Sequence, residues 1–162
     1  MLFREIFNFP SSNRRIVRDD RVLENVIGYV ADGAAAGGVN YFETVQTEIK
    51  PHMRKIVCEW MLEICEEQGC QSEVFALAVD YLDRALSRVN VRKSQFQLLA
   101  SVCIFVASKF KETAPMMADK LVVYSDFSIT TSEITVSSLL ILYMKTHVSF
   151  LNYFTEMGTA FT

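Results

Sequence analysis

Apolar residues crowd the stretch Ser94–Glu112, SQFQLLASVCIFVASKFKE, so closely that between Phe96 and Ala107 only Gln97 and Ser101 are strongly polar. A helix over this stretch is apolar on nearly every side, and such a helix must be wrapped by other helices or by lipid. The run is shorter than the ~20 residues a bilayer requires, and Lys93, Lys109, Lys111 and Glu112 bracket it with charge. The pattern predicts a buried central helix surrounded by amphipathic segments. Its last turn, Lys109-Phe110-Lys111-Glu112, emerges where a partner can meet it.

The flanking segments carry the matching pattern. From Asp20, Val22, Leu23, Val26, Ile27 and Val30 recur at helical spacing until Gly33 and Gly37-Gly38 interrupt them. Tyr41 to Lys50 reads as a short helix with Phe42, Val45 and Ile49 on one side, ended by Pro51. His52 to about Gln68 repeats Met53, Ile56, Val57, Trp60, Met61, Ile64 and Cys65 at steps of three and four, with Gly69 as its C-terminal cap. Ser72 is placed to cap the next helix, whose inner face is Val74, Leu77, Ala78, Tyr81, Leu82 and Leu86, and Ser94 to cap the central one. Pro115 then opens a short helix with Ala118, Leu121 and Val122 inward, and Ser132 with Glu133 starts a last one. No strand pattern and no Gly-rich phosphate loop is present, so the fold class is all-α, a compact helical bundle with short connections.

At 162 residues the chain fits one domain. Residues 1–18 mix aromatic side chains with Pro10, Ser11, Ser12 and Asn13 and then Arg14, Arg15 and Arg18, and read as a loosely ordered lead. The net charge of −3 supplies no basic field for nucleic acid and directs attention to a protein partner. Cys58, Cys65, Cys70 and Cys103 lack CxxC spacing, and only His52 and His147 could join them, so buried thiols of a reducing compartment are expected rather than a metal centre or a Cys–His catalytic pair. The N-terminus has no long apolar core of a secretory signal. Cytosol or nucleus follows as the expected location. Ile134–Phe154 is apolar and poorly patterned, and Lys145 and His147 break it as a membrane anchor; it reads as an imperfect final core helix.

Two groups of residues leave alternatives open. Arg54 and Asp83 both adjoin apolar positions, and they either turn inward and pair or lie on solvated faces. Met53, Ile56, Val57 and Trp60 form a stripe that is either core or a docking surface, with Trp60 an anchor if part of it is exposed. Lys109, in the last turn of the central helix, complements the carbonyls there for about 0.3–1 kcal/mol.

These residues resemble the N-terminal cyclin box of D-type cyclins. The resemblance rests on Asp20-Arg21-Val22-Leu23, Tyr41-Phe42, Val45-Gln46, Met53-Arg54-Lys55-Ile56-Val57, Trp60-Met61-Leu62-Glu63, Cys65-Glu66-Glu67-Gln68, Tyr81-Leu82-Asp83-Arg84, and Phe105-Val106-Ala107-Ser108-Lys109 through Glu112-Thr113. It implies a five-helix bundle around a buried third helix, extending over residues 19–133 and preceded by a short N-terminal helix. It also implies a regulatory subunit with no catalytic residues, metal or cofactor of its own, which binds the small lobe of a cyclin-dependent kinase and promotes the passage from G1 to S phase, in nucleus and cytoplasm. Lys109, Phe110 and Glu112 are then the kinase-binding group, and Arg54 and Asp83 a structural ion pair. Met53, Ile56, Val57, Trp60, Glu63, Phe96 and Gln97 match the patch that docks RxL motifs of substrates and inhibitors, with Phe96 where leucine is usual. A retinoblastoma-type protein is the implied substrate of the complex.

The departures set further expectations. Ser138 stands where the family has a kinase-contacting glutamate in its fifth helix, which implies a weakened contact. Likeness to the family ends around Glu133, and residues 134–162 read as a divergent apolar tail in place of the fifth helix and second box, as from a retained intron or an alternative final exon. The LxCxE motif for pocket proteins is not found; Leu62-Glu63-Ile64-Cys65-Glu66 has the wrong spacing. Two other readings follow from these departures: a kinase-binding but non-activating or unstable form, and a cyclin-fold transcription-factor module, which the net charge of −3 opposes.

Overall fold

The computed structural model describes residues 40–144, so the expected lead over residues 1–18, the helix from Asp20 and the segment beyond Met144 lie outside the described residues. Six helices occur among those described: α1 Tyr41–Thr44, α2 Pro51–Glu67, α3 Ser72–Leu86, α4 Phe96–Lys111, α5 Ala118–Tyr124 and α6 Thr131–Met144. A 3₁₀ turn at Lys93–Gln95 leads into α4. No strand occurs among the described residues. α4 is the third of the five helices α2–α6, and α3 and α6 flank it with the most extensive packing.

The central position of α4 follows from its composition. Phe96, Leu99, Ala100, Val102, Cys103, Ile104, Val106 and Ala107 are all buried, and so are Gln97, Ser101 and Ser108. Small residues at Ala100, Ser101, Ala107 and Ser108 allow neighbouring helices to approach closely on several sides. The inner faces of α2 and α3 are those the three- and four-residue steps predict: Met53, Val57, Trp60, Met61 and Ile64 from α2, and Val74, Ala78, Tyr81, Leu82 and Leu86 from α3. α6 fills the remaining side of α4 with Ile134, Ser137, Ser138 and Ile141 inward.

Helix ends depart from the expected ones. Pro51 opens α2 as its first residue instead of closing the helix before it, because proline's missing N–H is harmless at that position. α1 accordingly stops at Thr44. The backbone leaves the helix there, and the buried Gln46 amide donates to the carbonyls of Leu86 and Val89 and accepts from Val91 N–H at 3.0 Å. Thr47 pairs with Asn90 and Glu48 with the Lys93 N–H, so residues 46–48 tie down the α3–α4 connection. Ser72 and Ser94 do not cap: each lies inside its helical turn, and the residues at the caps, Gln71 and Gln95, make no side-chain cap bond. Pro115 precedes α5, which begins at Ala118.

α6 starts one residue before Ser132. Its cap is reciprocal: Glu133 Oε2 accepts from Thr130 N–H at 2.7 Å, and Thr130 Oγ1 accepts from Glu133 N–H at 3.2 Å. Gly69 does terminate α2. With φ +66° it permits the paired bonds Cys70 N–H to Cys65 O at 2.8 Å and Gly69 N–H to Glu66 O at 3.1 Å that satisfy the last carbonyls.

A Cβ on Gly69 would meet nothing within 4 Å, so the cost of Gly69→Ala is purely the left-handed backbone. We expect a destabilisation of about 1–2 kcal/mol, read as a lower urea midpoint of the purified chain with an unchanged slope.

Candidate functional site

Three separated elements converge on one buried charge. Arg54 of α2 donates from Nε to Asp83 Oδ1 at 2.6 Å and from Nη2 to Oδ2 at 2.7 Å, and the Tyr41 hydroxyl of α1 donates to the same Oδ1 at 2.9 Å. Arg54 and Asp83 are 3% and 5% exposed, which settles the open choice in favour of inward pairing. The fork of the guanidinium matches the carboxylate with two parallel bonds, the geometry in which such a pair is strongest. Burial opposes the Arg54 charge, but the hydrogen bonds to Asp83 and the charge interactions with Cys58, Asp83 and Tyr41 together outweigh it, and its pKa rises above the ordinary value. Burial and the Asp83 charge hold the Tyr41 phenol well above its usual range. Tyr41 is among the residues that carry the family likeness, but the sequence assigns it no role. Its signal is a phenol on the apolar side of a short helix, which when buried requires an acceptor.

The stripe on α2 divides by depth. Met53, Val57 and Trp60 are core residues, Ile56 is half-buried and Glu63 is exposed. Phe96 is also fully buried. Of the expected docking residues, Ile56 and Glu63 reach the surface most fully. Gln97, 5% exposed, accepts from the Ser128 hydroxyl at 3.1 Å while its Nε2 has no partner. A buried polar group without a partner is uncommon. Ser128 carried no recognisable signal in the sequence. It follows Asp126 and Phe127, both in the left-handed region at φ 53° and 59°, in the turn that closes α5.

At the end of α4, Lys109 and Phe110 are exposed, and Lys109 Nζ lies 4.9 Å from the centre of the Phe105 ring. Glu112 is half-buried and already engaged: its Oε1 accepts from the Gln71 N–H at 2.7 Å and so ties this end to the α2–α3 connection. On α6, Ser138 is buried, and its hydroxyl turns back to the Thr135 carbonyl at 2.7 Å. Val136, Leu139 and Leu142 lie exposed on the same helix.

A family model described as the N-terminal domain of cyclins matches residues 34–144. The chain belongs to the D-type cyclins. It is 49% identical to human G1/S-specific cyclin-D1 over 134 residues, which is 83% of this chain and 44% of that protein. Against bovine G1/S-specific cyclin-D3 the identity is 46% over 128 residues, 79% of this chain and 43% of that one. The chain thus spans less than half the length of these curated relatives. A viral cyclin from herpesvirus saimiri superposes with a TM-score of 0.60 at 28% identity, over 80% of this chain and 56% of that one. The family match takes in α6 and so continues past Glu133, where likeness was expected to end.

Among the described residues no helix of this cyclin is long and apolar enough to cross a membrane, and no three His, Cys, Asp or Glu side chains gather as a metal site. Its Cys58, Cys65 and Cys103 thiols are buried and Cys70 is half-buried. Burial pushes Cys58 up to about 12 and holds Cys103 well above the ordinary thiol value.

Two measurements test this interior. Asp83→Ala leaves the Arg54 guanidinium buried and uncompensated, and we expect a loss of about 3–5 kcal/mol in chemical denaturation. For Cys58, folding favours the neutral thiol, so its contribution is intact below the unfolded thiol's pKa of about 8.5 and is lost as pH rises towards about 12. Stability should therefore fall above pH ~8.5 with a slope approaching about 1.4 kcal/mol per pH unit for this one thiol, and Cys58→Ala should lessen that slope.

Proposed function

We propose that this cyclin domain is a regulatory subunit that binds a cyclin-dependent kinase of the class served by D-type cyclins and promotes the G1 to S transition. The observation that carries the reading is the end of α4. Lys109, Phe110 and Lys111 stand exposed at the end of a helix whose body is largely buried, and the exposed apolar residues of α6 belong to the helix packed along it. A cation and an aromatic ring beside apolar surface suit the small lobe of a kinase, where the lysine can reach backbone carbonyls and the apolar groups can cover a helix. Binding would favour the kinase conformation in which its C helix is turned inward and its lysine–glutamate pair is formed, a shift in population toward the active state. The relatives' designation as G1/S-specific supports the cell-cycle stage.

Ile56 and Glu63, which reach the surface over the buried Trp60 and Gln97, support a second contact, the docking of RxL motifs from substrates and inhibitors, with a retinoblastoma-type protein as a substrate of the complex. The buried positions of Met53, Val57 and Phe96 make these residues the floor of such a patch. Activity in both nucleus and cytoplasm belongs to the same proposal.

A second reading, a form that binds the kinase without activating it, is favoured by Ser138. Its hydroxyl is spent within α6 and supplies no charge to a partner.

The test is capture of the D-cyclin-dependent kinase by the purified chain, followed by phosphorylation of a retinoblastoma-type substrate. Capture with activity is expected, and Lys109→Glu should weaken capture by about 2 kcal/mol or more if the lysine is desolvated on binding. Capture without phosphorylation would establish the non-activating reading. No capture by a chain that unfolds cooperatively would overturn both.

A further inference from the structure

The end of α2 brings two cysteines close in space. Gly69 lets the chain reverse so that Cys70 N–H bonds to Cys65 O at 2.8 Å. In this termination the side chains of the two residues so joined frequently make contact. With standard backbone dimensions the bond holds their Cα atoms within roughly 6.7 Å of each other, inside the ~4.4–6.8 Å range that a disulfide spans. Both thiols are free.

The two are not equivalent. Cys65 is 3% exposed, whereas Cys70 is half-buried and lines an open cavity of about 180 Å³ with Glu112, Pro115, Met116 and Lys120. Its interaction with Cys65 holds the Cys70 thiol below its ordinary value, while the same interaction and burial raise Cys65. Glu112, from the end of α4, opposes ionisation of both, and Glu66 adds to this at Cys65. Lys120 of α5 lines the same cavity. An accessible sulfur with a buried thiol as neighbour is the arrangement of an attacking and a resolving cysteine.

We propose that Cys65 and Cys70 form a peroxide-reactive dithiol site, with Cys70 as the attacking sulfur and Cys65 as the resolving one. The oxidant is a hydroperoxide. The Cys70 sulfur attacks one peroxide oxygen, the O–O bond breaks, and with hydrogen peroxide a sulfenic acid and one water result. The Cys65 sulfur then displaces the sulfenic oxygen, which leaves as a second water carrying the Cys65 proton, and the S–S bond forms. Two thiols are oxidised by two electrons and the peroxide is reduced by two. A dithiol reductant reverses the bridge by exchange. The modification lies one residue from Gln71, whose N–H holds Glu112.

The experiment uses the full chain, reduced, exposed to hydrogen peroxide, blocked with N-ethylmaleimide and mapped by mass spectrometry. The peptide holding both cysteines should become lighter by two hydrogens and escape the maleimide, and the change should reverse with dithiothreitol. Bridging should be at least about tenfold faster in the folded chain than in urea, since the fold supplies the proximity. In Cys65→Ser, dimedone should trap a sulfenic acid at Cys70, and in Cys70→Ser it should trap none at Cys65. Equal rates in folded and unfolded chain, or oxidation of Cys58 or Cys103 ahead of this pair, would overturn the proposal, and both readouts on the unsubstituted chain stand if either variant fails to fold.

Discussion

A helix with no polar side cannot exist in water, and α4 is such a helix. Every other described element answers that constraint. α3 and α6 lie along it, α2 adds its Trp60 face, and the 3₁₀ turn at Lys93–Gln95 delivers the chain into it. Burial of a large aliphatic or aromatic side chain stabilises by about 1.5–3 kcal/mol, and Phe96, Leu99, Val102, Ile104 and Val106 all contribute on one helix. The same constraint places the candidate kinase contact. Because the body of α4 is covered, only its last turn is open, and Lys109 and Phe110 are there.

A polar link joins the shell to itself. Arg54, Asp83 and Tyr41 connect α2, α3 and α1 without touching solvent. Such a cluster adds little net stability over well-packed apolar groups, but it tolerates few alternative arrangements. A shift of α2 against α3 by one turn would bury a bare guanidinium. The apolar contacts set how strongly the helices associate, and the ion pair and the Gln46 amide set which arrangement they adopt.

The legible parts of this fold were those with a period. Steps of three and four placed the inner faces of α2 and α3, and the density of apolar residues placed α4. Helix ends were less legible because one residue type serves opposite roles. Pro51 can end one helix or begin the next, and the deciding fact is the demand of Gln46 for the Leu86 and Val89 carbonyls, 40 and 43 residues away. The Thr130–Glu133 cap was written in the sequence as T-x-x-E but lay two residues from the more obvious Ser132. In the candidate site, the likeness to cyclins located Arg54, Asp83 and Gln97. It did not reveal the roles of Tyr41, Ser128 or Gln71, which depend on atoms brought close only by folding.

α6 has one property that bears on how the domain reaches its final form. Its inward side carries Ile134 and Ile141, and its outward side carries Val136, Leu139 and Leu142. A helix this even about its axis gains almost as much from several rotations as from the native one, so composition alone does not select its azimuth. Competing orientations of similar energy roughen the landscape near the native basin. What distinguishes them is small and local: the cap at Thr130 and Glu133, and the small side chains of the buried Ser137 and Ser138. The helix that closes the bundle is therefore the one whose orientation is encoded with the least redundancy.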